Sequence, residues 1–206
     1  MHFYSTPPII KNILNKNLVW NMENDRNAIW LTFDDGPEPS VTPWVLETLE
    51  KYRAKATFFC VGNNAAKHPS IIENIIKAGH AVGNHTYNHL NGWQTDTQVY
   101  LSDIEKCDSI LNTPLFRPPY GKIKPLQLRQ LKEKYSIIMW SLITYDFDAD
   151  LDKEKCLENV LNKTKNGSIV VFHDSLKAKE RMQFVLPRML EYFSKKEYNF
   201  LPIIIK

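Results

Sequence analysis

Two short segments hold residue types whose chemistry needs them side by side. Asp34 and Asp35 stand in T-F-D-D-G-P, Thr32 to Pro37, and His85 and His89 stand in H-T-Y-N-H. Two neutral imidazoles and one carboxylate can hold a divalent metal with positions left over for water and substrate. The second carboxylate is then available to take a proton from the attacking water. Each segment alone has a plainer reading: Asp-Gly-Pro is good turn chemistry, and histidine pairs occur on surfaces. Two adjacent carboxylates closing a buried strand nevertheless need a partner, because an unpaired buried charge is costly. A cation is the natural partner. Consecutive side chains point in different directions, so one carboxylate can ligate while the other faces substrate.

Further polar residues suit the same chemistry. Arg117-Pro118-Pro119-Tyr120-Gly121 is a rigid turn in which Arg117 can orient a carboxylate by a two-pronged contact and the backbone N–H of Tyr120 can meet a developing oxyanion. His173 ends an apolar run and titrates near neutrality, which makes it a candidate proton donor. Asp146 can hold that imidazole by hydrogen bonding one ring nitrogen. Trp93, in Leu90-Asn91-Gly92-Trp93 just beyond His89, can stack on a sugar ring; the competing reading buries the indole against the following helix.

Such distant positions meet only if the elements bring them together. Strand-like runs at Ala28–Phe33, Ala56–Val61, Ala81–Asn84, Leu115–Arg117, Ser136–Ile143, Ser168–His173 and Phe200–Ile204 alternate with helical segments. Several are continuous apolar runs, as expected of a parallel sheet covered on both faces. Thr42-Pro43 opens one helix in its first turn. Ser70 and Glu73 form a capping box for another, which Gly79 stops. The alternation predicts an α/β domain, barrel-like or doubly wound. Every candidate residue but Trp93 comes at or just after the end of a strand, the face on which a parallel α/β barrel builds its active site. Residues 1–24 read as an N-terminal extension packed on the barrel, anchored by Trp20, and residues 25–206 as a single domain.

The bulk numbers narrow the class. At 206 residues, with 43% apolar and 24% charged residues, the chain is an ordinary globular one, which excludes disordered and collagen-like classes. A net charge of +3 comes from scattered basic residues, with Lys195-Lys196 the one adjacent pair, so no nucleic-acid partner is expected. Cys60, Cys107 and Cys156 each lie among apolar residues and read as core rather than as a disulfide framework. No window has the apolar length of a membrane span. Lys11, Asn12, Asn15 and Lys16 interrupt the one stretch that could be an export signal, so the sequence as given predicts a cytoplasmic location, with export to the cell envelope as the alternative. Oligomeric state is left open.

Taken together, the segments resemble the polysaccharide deacetylases of the NodB-homology type, carbohydrate esterase family 4. Its five motifs run in order here: T-F-D-D at Thr32–Asp35, H-[ST]-x-x-H at His85–His89, R-x-P-Y-G at Arg117–Gly121, a D-x-x-D-W-like segment at Ile143–Phe147, and L-x-H at Val171–His173. The resemblance covers roughly residues 28–206. It implies an irregular (β/α)7 barrel and a divalent metal, usually zinc, with cobalt or nickel as alternatives, on Asp35, His85 and His89. It implies Asp34 as base, Arg117 as its orienting partner, the Tyr120 N–H in the oxyanion hole, and His173 as acid positioned by Asp146. Two positions depart from the family pattern in the fourth motif, Ile143 for Asp and Phe147 for Trp. Phe147 reshapes the wall near the acetyl group, and the fifth motif has Val171 for Leu.

The expected activity is therefore metal-dependent removal of the N-acetyl group from N-acetylhexosamine units of a glycan, peptidoglycan or chitin-like, with Tyr120, Phe147 and Trp93 lining the substrate. Three rivals remain in view. One is an enzyme of the same scaffold acting on a small cyclic imide or ureide. Another is an iron oxygenase on two histidines and a carboxylate, against which the spare base and the acid His173 count. The last is a non-catalytic glycan-binding module, against which the complete base, acid and ligand set counts.

Overall fold

The structure is a computed structural model that describes residues 18–23 and 26–205. Nine strands form one sheet: β1 Leu18–Val19, β2 Ala28–Asp34, β3 Ala56–Cys60, β4 Ala81–Asn84, β5 Leu115–Phe116, β6 Ser136–Ile138, β7 Leu142–Ile143, β8 Ile169–His173 and β9 Asn199–Phe200. The helices are α1 Thr42–Lys51, α2 Gly62–Lys67, α3 Pro69–Lys77, α4 Thr97–Leu111, α5 Pro125–Leu131, α6 Lys153–Lys163 and α7 Lys179–Ser194. Strand order is β1-β6-β5-β4-β3-β2-β8-β7, with β9 beside β2, and the strand pairs are parallel. β6 and β7 lie toward opposite ends of that order yet are joined by only Met139, Trp140 and Ser141. The short link draws the two ends together, so the sheet curls into an irregular α/β barrel, the fold class the sequence predicts.

Period-two alternation on β2 explains where the chemistry ends up. Ile29, Leu31 and Phe33 pack outward in the large cluster under the helices, with Val45 and Leu49 of α1 and Leu186 and Met189 of α7. Ala28 and Trp30 point inward, in a second cluster with Phe59, Leu115, Ile138 and Ile169. Thr32 and Asp34 continue that inward column toward the strand's C-terminal end. The interior is thus apolar at the bottom and polar at the top, as the placement of candidate residues after strands predicts. Cys60, Cys107 and Cys156 are buried free thiols, in line with their reading as core residues.

Four expectations change. The run Ser136–Ile143 is two short strands, because its first part pairs with β5 and its last with β8, and one straight strand cannot serve both sides of the seam. The run Phe200–Ile204 forms a ladder only at Asn199–Phe200, since Pro202 has no N–H to donate. Past it, the Ile203 N–H turns inward to Thr57 Oγ1 at 2.8 Å and the side chain closes the barrel floor. α3 starts at Pro69 with His68 as its cap, so Ser70 lies inside the helix and forms no capping box; proline's fixed φ already suits the first helical position. Residues 18–22 are part of the sheet rather than a layer upon it: β1 pairs with β6, and the Met22 N–H donates to Gly167 O at 2.9 Å. Val19 and Met22 pack on the inner cluster, while Trp20 is half-buried. The rest of the expected extension, and the interrupted stretch behind the export reading, lie outside the described residues. Among the described residues, no helix is long and apolar enough to cross a membrane.

Candidate active site

The metal-ligand candidates converge. Asp35 follows β2 directly, His85 follows β4, and His89 closes the turn beyond it; one ligand atom from each lies within 4.8 Å of the others. Asp35 Oδ1 is 3.1 Å from His89 Nε2 and 3.7 Å from His85 Nε2. His85 Nδ1 sits 2.8 Å from the Arg117 carbonyl, which fixes the tautomer: Nδ1–H donates and the Nε2 lone pair faces Asp35. Burial, opposed by Asp34, brings the His85 pKa down to about 4, so the ring is neutral at physiological pH and its approach to Asp35 is that of two ligands, not an ion pair. Burial pulls the Asp35 pKa up, but the His89 hydrogen bond and the charge of His173 outweigh it and hold the carboxyl well below its usual range. A carboxylate and two imidazole nitrogens, pre-aimed at one point, fit a divalent transition metal.

Beside them, Asp34 stays outside the ligand group and is held by a buried arginine. Arg117 Nη1 donates to Asp34 Oδ1 at 2.6 Å and to Thr32 Oγ1 at 2.7 Å, Nε donates to Ile138 O at 3.1 Å, and Nη2 donates to Met139 O at 3.0 Å. Its guanidinium carbon lies 4.1 Å above the Phe59 ring. Phe59 can reach that position because its neighbour across the ladder is Gly83: a Cβ there would come within 2.4 Å of the Phe59 ring. Asp34 has one oxygen committed to Arg117, and among the described residues the other carries no hydrogen bond.

The histidine expected to act as the acid is held just as firmly. His173 Nδ1 is 2.7 Å from Asp146 Oδ1, and the His173 backbone N–H donates to Asp146 Oδ2 at 2.9 Å. Burial alone would lower the His173 pKa, but the charge and hydrogen bond of Asp146, joined by the charges of Asp35 and Asp34, raise it to about 9. The ring is therefore protonated at neutral pH, with Nε2–H left over.

Supporting residues emerge that the sequence reading assigned no role. Asp103, on α4, accepts from the backbone N–H groups of Tyr87 (2.7 Å) and Asn88 (2.9 Å) and from Asn88 Nδ2 (2.6 Å), tying down the turn that carries both histidines. Asp174 Oδ1 accepts from Gly36 N–H at 3.1 Å and its Oδ2 accepts from Thr42 Oγ1–H at 2.5 Å, clamping the turn after Asp35 to α1. A Cβ on Gly36 would land 2.1 Å from Asp174 Oδ2, which is why glycine stands there. Burial pushes the Asp174 pKa up to about 8, helped by Asp35 and Asp34, so the clamp adds little negative charge at neutral pH. The one available signal was an acidic residue directly after a candidate catalytic histidine. Backbone strain marks the same region: of eight described non-glycine residues with positive φ, five (Asp35, Thr86, His89, Tyr120 and Tyr145) lie in these loops, the kind of clustering that strained residues show at functional sites.

Aromatic side chains stand at the mouth. The Tyr120 ring, 60% exposed, meets His89 edge-on at 4.8 Å. Phe147, 38% exposed, meets His173 edge-on at 4.8 Å on the other side. Trp93 is 61% exposed, so the reading that buried it in the core is wrong. Its Nε1–H donates to Ile123 O at 3.2 Å, which satisfies the indole's polar edge without burying its faces.

Known proteins of one family are similar to this chain in sequence and fold. The sequence profile of the polysaccharide deacetylase family matches residues 21–136. A peptidoglycan-N-acetylglucosamine deacetylase of Bacillus cereus is 33% identical over 193 residues, covering 90% of this chain and 91% of that protein. A chitooligosaccharide deacetylase of Azorhizobium caulinodans is 36% identical over 161 residues, covering 73% of this chain and 75% of the relative. A crystal structure of a peptidoglycan N-acetylglucosamine deacetylase with 4-naphthalen-1-yl-N-oxidanyl-benzamide superposes with a TM-score of 0.88 at 30% identity, over 96% of this chain and 95% of that one.

Proposed function

Since the chain belongs to the polysaccharide deacetylase family, we propose that it hydrolyses the N-acetyl amide of N-acetylhexosamine units in a glycan, peptidoglycan or chitin-like, releasing acetate and a free amine. Asp35, His85 and His89 would hold the divalent metal, zinc in this reading. A bound divalent cation supplies Lewis acidity toward the acetyl oxygen and makes water a better nucleophile at neutral pH. The remaining work belongs to the protein's own groups. Asp34, aligned by Arg117, takes a proton through its free oxygen as water adds to the acetyl carbon. The Tyr120 N–H donates to the oxyanion. His173 gives its Nε2 proton to the nitrogen as the C–N bond breaks, and Asp146 keeps the other ring nitrogen occupied.

The observation that carries this reading is the meeting of three ligands, a clamped carboxylate outside them and a carboxylate-bound imidazolium at one end of one barrel. Exposed rings at the mouth favour an extended sugar chain over a small cyclic imide or ureide, which would call for a closed pocket. Acetate release should therefore be measured on N-acetylated glycan oligomers and on small cyclic amides, with the protein first chelated and then given zinc, cobalt or nickel. Metal-restored acetate release from the glycans alone is the expected result. Turnover of the cyclic amides alone would overturn it, and glycan binding without turnover in the metal-loaded protein would make the chain a binding module.

The acid role fixes the direction of a pH effect. His173 must be protonated to donate, so the rate falls as pH rises through its pKa. That value, about 9 without a cation nearby, is lowered by the repulsion of a bound divalent ion. Asp146→Asn removes the charge that raises it, so the alkaline limb of the kcat profile should move to lower pH. An unmoved limb would assign it to another group.

A further inference from the structure

The strip leading away from His89 contains a cation that no carboxylate among the described residues pairs with. Lys122 follows the Arg117–Gly121 turn, is half-buried, and has its Nζ 6.0 Å from the Tyr120 ring centroid and 5.5 Å from that of Trp93. The loop bearing Trp93 is locked to the loop bearing Lys122: Gly92 lies so close that a Cβ there would sit 2.4 Å from Lys122 O, Gln127 Nε2 donates to Gly92 O at 3.0 Å, and Trp93 Nε1 donates to Ile123 O. His89, Tyr120, Lys122 and Trp93 thus run in sequence, each within reach of the next, with the loops of the last two locked together, the Trp93 ring exposed and Lys122 half-buried beside it.

We propose that Trp93 and Lys122 form a subsite for the sugar next to the one being deacetylated, and that Lys122 selects a neighbour bearing a carboxylate, as N-acetylmuramic acid does through its lactyl group. This rests on the deacetylase reading above and narrows it to an acidic, alternating glycan over a neutral one. An indole face stacks on the apolar face of any sugar, so Trp93 alone does not discriminate. An ammonium held between two rings gains little from them at an exposed site, whereas a carboxylate brings a charge-assisted hydrogen bond. Rigid loops leave that contact little ordering cost.

The test compares three tetrasaccharides on the zinc-loaded protein: alternating N-acetylglucosamine and N-acetylmuramic acid, the same compound with its lactyl carboxylates converted to methyl amides, and tetra-N-acetylchitotetraose. Lys122→Met should lose about fivefold more kcat/KM on the acidic compound than on either neutral one, chiefly through KM. Added salt should erode the wild-type preference. Trp93→Ala should raise KM on all three with little change in Tm. Equal losses on all three, or none, in Lys122→Met would overturn the proposal. The same contrast read as binding to metal-loaded Asp34→Asn protein does not depend on turnover. A wild-type protein that binds the acidic compound preferentially but deacetylates none of the three would refute the deacetylase reading and leave the subsite standing.

Discussion

Asp34→Asn should lower kcat by roughly a hundredfold or more, the usual loss for a missing general base, while the protein keeps its metal. The amide matches the carboxylate in shape and still offers Arg117 an acceptor oxygen, but it cannot take up the proton that water must lose. Metal content should hold because the converging group is Asp35, His85 and His89, and Asp34 is not one of its members. His89→Ala gives the contrast: it removes a member of that group, so metal content and activity should fall together. Metal analysis beside acetate-release kinetics separates the two variants. A metal-replete Asp34→Asn protein with near-normal kcat would mean the base lies elsewhere.

That experiment rests on residues the sequence already exposed, and the reason is topological. Asp34-Asp35, His85, Arg117, Asp146 and His173 come at or within three residues of the ends of β2, β4, β5, β7 and β8, and parallel strands put those ends together without further information. Chemistry written at strand ends is legible from one chain. What supports it was not. Asp103 serves the histidine turn from a helix that begins eight residues after His89, and nothing in its own neighbourhood distinguishes it from a solvated helix acid. Trp93 was ambiguous because indoles are most often buried, and only the Ile123 carbonyl shows how this one is fixed while exposed. The break between β6 and β7 was hidden by a continuous apolar run. Its cause is a barrel seam, a relation between strands distant in sequence, and it has a consequence for the site: Ile138 O and Met139 O, freed from a regular ladder, become acceptors for Arg117.

The second large effect follows from that environment. The Arg117 side chain is fully buried, and Asp34 is nearly so. Burial lowers the guanidinium pKa and Asp34 opposes it, so the arginine's charge leans on the carboxylate it faces. Arg117→Met keeps much of the apolar bulk over Phe59 but leaves the Asp34 charge, Ile138 O and Met139 O without their donors. Breaking a buried pair from one side costs about 3–5 kcal/mol, which in a domain of this size lowers Tm by roughly 10 °C. Activity should fall as well, through kcat more than KM, because Arg117 touches the base rather than the sugar. Arg117→Lys should recover part of the stability, since it restores a charge but not the planar fork that reaches four acceptors. In the double variant Arg117→Met with Asp34→Asn no charge is stranded, so its Tm should exceed that of Arg117→Met alone, a coupling that two independent losses do not produce. Thermal denaturation of wild type, Arg117→Met, Asp34→Asn and the double variant in metal-loaded form decides the matter: strictly additive changes would show that the arginine holds the seam of the barrel and leaves the base to orient itself.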